Sequence, residues 1–401
     1  MARNAESLSR AASVVATYGA ALVAGLVVVS FPASATVLKS AHGLSDSKYG
    51  AIFLPQVVLT ILGSLAGGAL SERRSLRFVL CLSLGAFGVA EVALLATATM
   101  QDDAAYLLLL AGTGSAGVGF GLSAAPLNTL PGLLFPDRKE TALVALHTCL
   151  GAGFAAGPLL VGQLAAHEAW TTAPLLLAAA AFACLAFVAP TPLPSRTRAS
   201  GASAAPRARL SDLVPFFVIA VLYAFAEGTF ANWSTVFLHE ERAVGEDEAA
   251  LALAGFWAAL AVGRLVVSAL LVRVPARRVW LGLPLVMAAA AMLIPASQGA
   301  TSGILAFALA GLGCSAFFPL TVHAATSVDP SRGEWISSAM TAALMLGVGL
   351  GSFTVGPLRA ACTIGKIYLL STLYPLSALA LAAFSRTRTE SSDAAVAPAP
   401  R

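Results

Sequence analysis

The sequence predicts an all-α membrane protein, with twelve transmembrane helices arranged as two pseudo-symmetric six-helix bundles. Of the 401 residues, 58% are hydrophobic and only 11% are charged, and the mean hydropathy is +0.83. A soluble globular chain carries about 25% charged residues, so most of this surface does not face water. Apolar runs of roughly 20 residues, the length that crosses the hydrocarbon, recur twelve times. A polar segment divides them into six and six, and the two groups resemble each other weakly.

The twelve apolar runs give the predicted spans and the domain organisation. The runs cover residues 13–35, 49–70, 78–99, 104–133, 141–165, 170–190, 213–238, 249–272, 278–296, 301–326, 334–358 and 364–385. The predicted units are a cytoplasmic N-terminal tail (1–12), an N-terminal bundle (13–190), a cytoplasmic linker (191–212), a C-terminal bundle (213–385) and a disordered cytoplasmic tail (386–401). The Pro, Ser, Arg and Gly content of the linker is typical of a flexible segment.

The first run also has features of a secretory signal peptide. Arg3 and Arg10 precede an apolar core, and "ASA" at 33–35 resembles a signal-peptidase site. However, the core extends from about residue 11 to 35, which is too long for a typical signal peptide. Cleavage would also leave eleven runs and break the pattern of six plus six. We therefore expect the first run to be a transmembrane helix.

The distribution of Lys and Arg sets the predicted orientation. With the N terminus in the cytoplasm, 18 of the 24 basic side chains fall in inner segments and five in the outer loops and their margins. The outer loops carry acids instead, as in "HEERAVGEDE" at 239–248. We therefore expect a multi-pass protein of the inner or plasma membrane with both termini in the cytoplasm. The net charge of +4 comes from the inner loops and gives no reason to expect a nucleic-acid partner.

The two halves repeat short glycine- and proline-containing segments. "GVGFGLSAAP" (117–126) followed by "FPDRKE" parallels "GLGCSAFFP" (311–319) followed by "VDPSRGE", and "GAGFAAGP" (151–158) parallels "GVGLGSFTVGP" (347–357). Closely spaced glycines let helix backbones approach in lipid. Two repeated six-helix halves are typical of transporters that rock around a central site.

The segment "GALSERRSLR" (68–77) resembles the inner-loop motif of the major facilitator superfamily, and the resemblance covers about 13–385. In that family the loop latches the two halves on the cytoplasmic side. Here Glu72 replaces the usual aspartate, and the second copy (263–278) has Val272 at the acid position. The resemblance implies a cytoplasmic gate formed by Gly68, Glu72, Arg73, Arg77, Arg264 and Arg273.

A finer resemblance is to the fucose permease-like branch, whose members carry sugars with protons. It rests on "NTLPGLLFPDRKETALVALHTCLGAGFAAGPLL" (128–160), "LYAFAEGTFANWSTVFL" (222–238) and "GFWAALAVGRL" (255–265). That branch uses an acid on the first span for proton coupling, whereas the first run here has no acid. Its acid on the fourth span is also missing, with only Asn128 nearby.

Glu227 is the most prominent ionisable residue in an apolar run. It lies about 21 Å from the start of the seventh run at 1.5 Å per residue, and Tyr223 shares its helix face. Such residues are costly in the hydrocarbon and usually face the bundle interior. Glu227 is therefore a proton-binding group in a cavity or a protonated structural residue bonded to a neighbouring helix. Trp233 and Asn232 could stack on and hydrogen-bond a sugar, and Trp233 fits an interfacial anchor equally well.

Asn128 and His147 flank the inner loop near 136–140 at matching depths of about 12 Å, so we expect them to meet as part of the site or gate. His147 is also compatible with an ordinary core residue. Glu91 lies in the third run. We expect it to pair with a neighbouring helix or to stay protonated, rather than to take part in transport. Weaker cavity candidates are Gln56, Trp257, His323 and Tyr18.

The sequence therefore predicts a secondary active transporter that moves a small polar, sugar-like solute by alternating access, with proton coupling through Glu227 as a hypothesis. One alternative is a drug or metabolite:proton antiporter, since "GAGFAAGPLLVG" (151–162) resembles an antiporter motif. Another is a membrane sensor or scaffold that moves nothing. No nucleophile–base pair, metal-type cluster or phosphate loop is evident, so we expect no enzyme activity, metal or cofactor. The expected partners are a small-molecule substrate, protons and the lipid bilayer, and we expect a monomer.

Overall fold

A computed structural model describes residues 2–194, 209–329 and 332–385, and the regular structure in these ranges is helical. Residues 195–208 of the predicted linker and the whole predicted tail 386–401 lie outside the described part. We number the membrane-crossing elements α1 to α12, and an element interrupted by a break keeps one number. The N-terminal half contains α1 (Ala2–Val28, Ser30–Ala33 and Ala35–His42), α2 (Asp46–Ala51 and Phe53–Arg73), α3 (Leu76–Ala96), α4 (Asp102–Leu134), α5 (Lys139–Ala166) and α6 (Thr172–Val188).

The C-terminal half follows the same order. It contains α7 (Leu210–Val236, continued by a π-helical turn, Phe237–Glu241), α8 (Glu246–Leu270), α9 (Ala276–Leu293), α10 (Ala300–Cys314 and Phe317–Val328), α11 (Gly333–Leu358) and α12 (Ile364–Ser371 and Leu373–Phe384). Within the described ranges, eleven elements are long and apolar enough to cross a membrane. The remaining one, α6, is an apolar helix of 17 residues. The predicted all-α membrane fold is thus confirmed, with a helix at each of the twelve predicted runs.

Four of these elements are broken at five places, and four of the breaks lie three residues before a proline. Those four fall at Val29, Ile52, Ala316 and Thr372, before Pro32, Pro55, Pro319 and Pro375, and the fifth, at Ser34, comes two residues after Pro32. Proline has no N–H, so the carbonyl oxygen four residues earlier loses its helical donor. Other prolines, such as Pro126 and Pro158, lie inside continuous helices. A proline in this chain therefore permits a break but does not impose one.

The two halves pack their helices in equivalent ways. A Cβ atom on Gly121 of α4 would lie 2.3 Å from the carbonyl oxygen of Thr60 in α2. At the corresponding place in the other half, a Cβ atom on Gly311 of α10 would lie 2.0 Å from the carbonyl oxygen of Phe256 in α8. Only glycine allows helix backbones to approach this closely. The repeated glycines of the sequence therefore form the same helix contact in each half.

The halves meet where α5 packs against α8 and where α2 packs against α11. Each half crosses the membrane six times, so the start of α1, the end of α12 and the ends of the linker lie on one side. We call this the linker side and the opposite side the far side. The space between the halves is the place where a functional site can form.

Candidate functional site

On the far side, charged side chains from both halves form an ion-pair network. We call this network the clasp; it consists of Lys39, Asp46, Glu240, Glu241 and Arg359. Arg359, at the end of α11, uses its whole guanidinium: Nε lies 3.1 Å from Asp46, Nη1 lies 2.6 Å from Glu241 and Nη2 lies 2.8 Å from Glu240. Lys39 pairs with Asp46 and with Glu240. Because Lys39 and Asp46 belong to the N-terminal half, the clasp ties the two halves together.

Below the clasp, an aromatic and amide cluster seals the same interface. The Trp233 indole is fully buried, and its Nε1 donates to the carbonyl oxygen of Ser352 at 2.8 Å. The side-chain amide of Asn232 donates to the Ser352 hydroxyl. The Tyr49 hydroxyl donates to the backbone carbonyl oxygen of Asn232 at 3.0 Å. The Tyr49 and Trp233 rings meet edge to face at 5.1 Å. Trp233 is thus neither an interfacial anchor nor open to a solute in this conformation.

On the linker side, the polar contacts between described residues stay within each half. Arg10 donates to the carbonyl oxygen of Leu134 at 2.8 Å inside the N-terminal half. Arg277 donates to the carbonyl oxygen of Ala383 at 3.1 Å inside the C-terminal half. The hydrogen bonds and ion pairs that join described residues of the two halves lie toward the far side. Among the described residues, polar contacts therefore hold the halves together on the far side.

Two of the predicted residues lie in the linker-side parts of α4 and α10. The Asn128 side chain is exposed and donates to the carbonyl oxygen of Ala124 in its own helix at 2.8 Å. His323 is exposed as well. His147 is half-buried, and the hydrogen bonds of the described residues include none between Asn128 and His147. The expected pair is therefore not formed in this conformation.

The break in α10 creates a polar centre inside the bundle. Pro319 cannot donate to the Ser315 carbonyl oxygen, and that oxygen instead accepts a hydrogen bond from Arg264 Nε at 3.1 Å. One residue earlier, the Cys314 carbonyl oxygen accepts a hydrogen bond from the Tyr223 hydroxyl at 3.0 Å. The broken backbone therefore positions one side chain from α8 and one from α7.

Glu227 joins this centre. Glu227 is half-buried, and its carboxyl group interacts electrostatically with Tyr223 and Arg264. His147, from α5 of the other half, also lies within electrostatic reach of Arg264. We call Glu227, Tyr223, His147 and Arg264 the central cluster. It combines an acid, a phenol, an imidazole and a guanidinium, which together can bind a proton and a polar solute.

The facing surfaces of α5 and α8 extend the central cluster toward the far side. The two helices run antiparallel, and His147 and Phe154 on α5 lie opposite Arg264 and Trp257 on α8. The Phe154 and Trp257 rings are 4.6 Å apart. Between these pairs, Gly151 allows the α8 side chains to approach closely. The Trp257 Nε1 atom is buried and has no hydrogen-bond partner among the described residues.

This architecture matches a known family. The sequence profile of the Major Facilitator Superfamily matches residues 16–354. The chain belongs to the Major Facilitator Superfamily. No curated protein matches the chain.

Solved structures show the same superfamily fold at low sequence identity. The chain is similar to a bacterial homologue of the human lysosomal transporter Spinster in an inward-facing, occupied conformation, with a TM-score of 0.75 and 14% identity over 94% of this chain and 97% of the other. It is also similar to a variant of the nucleoside transporter NupG (TM-score 0.74, 13% identity, 94% and 100% coverage). A third similar structure is a D-xylose-proton symporter (TM-score 0.73, 14% identity, 93% and 96% coverage).

The superfamily's inner-loop motif does not bridge the halves in this conformation. Glu72 and Arg73 are exposed, and they make no ion pair or hydrogen bond with any described residue. Arg77 donates to the carbonyl oxygen of Thr191, at the end of α6 in its own half, at 3.3 Å. Gly68 is half-buried, and Arg273 is exposed at the end of α8. An unlatched motif agrees with the concentration on the far side of the polar contacts that join described residues of the two halves.

Gln56, Tyr18 and Glu91 make contacts inside the N-terminal half of this superfamily member. Gln56 is half-buried on α2, where its backbone packs against Gly117 of α4. The Tyr18 hydroxyl donates to the carbonyl oxygen of Ala142 in α5 at 2.8 Å. Glu91 is fully buried, and its Oε1 lies 2.7 Å from the Ser30 hydroxyl at the α1 break. The predicted cross-helix hydrogen bond of Glu91 is thus confirmed.

The sequence predicts Arg264 as part of the cytoplasmic gate and not as part of the central cluster. The signal that could have placed it was Pro319, whose missing N–H frees an acceptor at the level of Arg264. Within the described ranges, no group of three His, Cys, Asp or Glu side chains is positioned to hold a metal ion.

Proposed function

We propose that this protein is a secondary active transporter that moves a small polar organic solute by alternating access, with Glu227 as its proton-binding group. The family supports the transport part of the proposal. The observation that carries the mechanism is the central cluster, in which one carboxyl group interacts with a guanidinium and a phenol, and the same guanidinium interacts with an imidazole of the other half. A sugar-like solute, as in the fucose permease-like branch, is the starting hypothesis for the substrate.

The proposed orientation of the protein in the membrane rests on the excess of Lys and Arg in the loops of one side. We propose that the linker side is cytoplasmic, because most Lys and Arg residues lie there. The closed clasp and the unlatched inner-loop motif then correspond to an inward-facing conformation of a monomer in the inner or plasma membrane. Transport requires the opposite arrangement as well, in which the clasp opens and the inner-loop motif around Glu72 and Arg73 latches the halves.

Proton coupling follows from the setting of Glu227. A carboxyl group that is partly shielded from water and beside one cation is neutral or ionised depending on small changes around it. When the halves rock, the carboxyl group meets water from alternate sides. It can therefore take up a proton on one side and release it on the other, together with or against a solute.

The experiment that tests this proposal uses purified protein in proteoliposomes with a pH gradient. Labelled sugars, organic acids and cationic drugs are each offered, and their accumulation is measured with the gradient in both directions. We expect at least one class to accumulate in a gradient-dependent way, and the productive direction distinguishes symport from antiport. If no class enters and none exchanges with solute preloaded inside, the transporter proposal is wrong and the sensor or scaffold alternative gains support.

A further inference from the structure

The Arg264 guanidinium has more hydrogen-bond donors than the protein fills. An arginine has five N–H donors, and only Nε of Arg264 has a hydrogen-bond partner among the described residues, the Ser315 carbonyl oxygen at 3.1 Å. The two Nη groups of this half-buried side chain have none, and they are not among the buried side-chain atoms that lack a partner, so water or a solute can reach them. Hydrogen bonds between a guanidinium and an anionic acceptor are stronger than those to neutral acceptors. The fork of Nη groups is therefore an available site for an acceptor-rich, negatively charged group.

The groups around Arg264 do not supply a hydrogen-bond acceptor to its two Nη groups. Glu227 interacts electrostatically with Arg264, but among the described residues the two side chains do not form an ion pair within 4.0 Å. The other titratable neighbours that interact with Arg264 are Tyr223 and His147, a phenol and an imidazole. Cys314 contributes its carbonyl oxygen, which Tyr223 already occupies. Glu227 is thus the single carboxyl group in this set.

A second unfilled donor lies on the same face of α8. Trp257 is seven residues before Arg264, two helical turns away, and its buried Nε1 has no partner among the described residues. Its ring packs against Phe154 of the other half at 4.6 Å. A solute that reaches from Arg264 along α8 therefore meets a cationic fork, a hydrogen-bond donor and an aromatic wall. This set of groups favours acceptors and negative charge over a neutral, donor-rich surface.

We propose that Arg264 binds the carboxylate of the transported solute, so that the substrate class is a small organic monocarboxylate, with hydroxylated acids such as sugar acids as the leading candidates. This inference rests on the proposed function and narrows its sugar-like solute to an anionic one. Arginine suits the role because its planar fork binds a carboxylate with two parallel hydrogen bonds.

The charge balance of the central cluster links the solute to the proton. One guanidinium cannot neutralise both the solute carboxylate and an ionised Glu227. The anion therefore enters with one proton, which moves from water to the Glu227 carboxyl group. The loaded centre then holds one cation, one anion and one neutral acid, and no covalent bond is made or broken.

The test compares matched pairs of solutes that differ in one carboxylate. The pairs are gluconate with glucose, lactate with 1,2-propanediol, and benzoate with benzyl alcohol. Binding to purified protein is followed by thermal shift, and exchange is followed in proteoliposomes as counterflow. We expect an acid of at least one pair to raise the melting temperature and to exchange, while its neutral partner does neither.

Substitutions at Arg264 and at an exposed arginine of α9 locate the site. Arg264→Gln should weaken binding of the acid roughly 10- to 100-fold, and Arg264→Lys should restore part of it by keeping the charge. Arg278→Gln, an identical change at an exposed position of α9, should leave binding unchanged. If Arg264→Gln does not fold, the comparison of Arg264→Lys with Arg278→Lys decides, since both changes remove a guanidinium but only the first removes it from the central cluster.

Four results would overturn the inference. Equal binding of the neutral member of each pair would do so, and so would unchanged acid binding in both Arg264 variants. Exchange of neutral sugars alone would reject an anionic substrate while leaving the transporter proposal intact. A complete lack of exchange for all classes would reject both together.

Discussion

The Ser315 carbonyl oxygen accepts its hydrogen bond from Arg264 of α8, because the residue that would donate to it within α10 is a proline. This relationship connects a local rule of helix chemistry to the centre of the molecule. The break in α10 is what positions the guanidinium near Glu227 and His147. The central cluster therefore depends on one missing N–H group.

Pro319→Ala tests this dependence. Alanine supplies an N–H to the Ser315 carbonyl oxygen and removes a residue that disfavours a helix interior by about 3 kcal/mol. We expect the melting temperature to stay equal or rise, while counterflow falls roughly tenfold because Arg264 loses its acceptor. The matched control is Pro284→Ala, at a proline inside the continuous helix α9, which should leave counterflow unchanged. Wild-type counterflow in Pro319→Ala would show that the break is not needed.

Arg359→Gln should open the far side. It removes the cation that pairs with three acids of the clasp, and half-buried pairs of this kind contribute roughly 1 kcal/mol or more together. Spin labels at the exposed positions 101 and 298, one in each half, report the far-side distance by double electron–electron resonance. We expect a longer distance to gain population. Lys48→Gln, which removes an exposed pair with Asp103 inside one half, should leave the distribution unchanged.

Trp233→Phe separates a structural role from a binding role. The change removes the indole donor to the Ser352 carbonyl oxygen inside α11, and the loss of one such hydrogen bond costs about 0.5–1.5 kcal/mol. We expect a lower melting temperature with solute affinity within a few-fold of the wild type. Trp335→Phe, at a ring that is 49% exposed, should change neither. A large loss of affinity at unchanged stability would instead favour direct contact between Trp233 and the solute.

Gly311→Ala should disrupt the packing of α10 on α8. The added Cβ atom would lie 2.0 Å from the carbonyl oxygen of Phe256, which is backbone and cannot move aside cheaply. Gly282→Ala is the control, since a Cβ atom there meets no atom within 4 Å and alanine is favoured in helices by about 1 kcal/mol. We expect Gly311→Ala to express poorly or melt early and Gly282→Ala to melt at or above the wild-type temperature. Similar melting of the two variants would contradict the close contact.

Much of the fold could be predicted because lipid imposes a simple rule on the sequence. Helix length follows from the thickness of the hydrocarbon, so the apolar runs gave the helices. The face of α7 that carries Glu227 and Tyr223 followed from helical spacing alone. The cross-helix hydrogen bond of Glu91 followed from the cost of burying an unpaired carboxyl group.

The parts that could not be predicted depend on contacts between helices. The prolines illustrate this limit, because Pro319 accompanies a break and Pro158 lies in a continuous helix, and the difference arises from neighbouring side chains. The sequence around Trp233 is compatible with an interfacial anchor, a ring that stacks on a sugar or a core residue, and only the position of α11 distinguishes these roles. The expected contact between Asn128 and His147 also depends on which side of the molecule is open.

The measurement that tests the central claim most directly is the comparison of wild-type protein with Glu227→Gln in proteoliposomes, in which exchange and gradient-driven accumulation of the same solute are recorded separately. Glutamine keeps the shape of the side chain and cannot carry a proton. We predict that Glu227→Gln retains exchange of solute across the membrane but loses accumulation driven by a pH gradient, whereas Glu91→Gln, the same change at a buried carboxyl group outside the central cluster, retains both. Undiminished gradient-driven accumulation in Glu227→Gln would contradict the account.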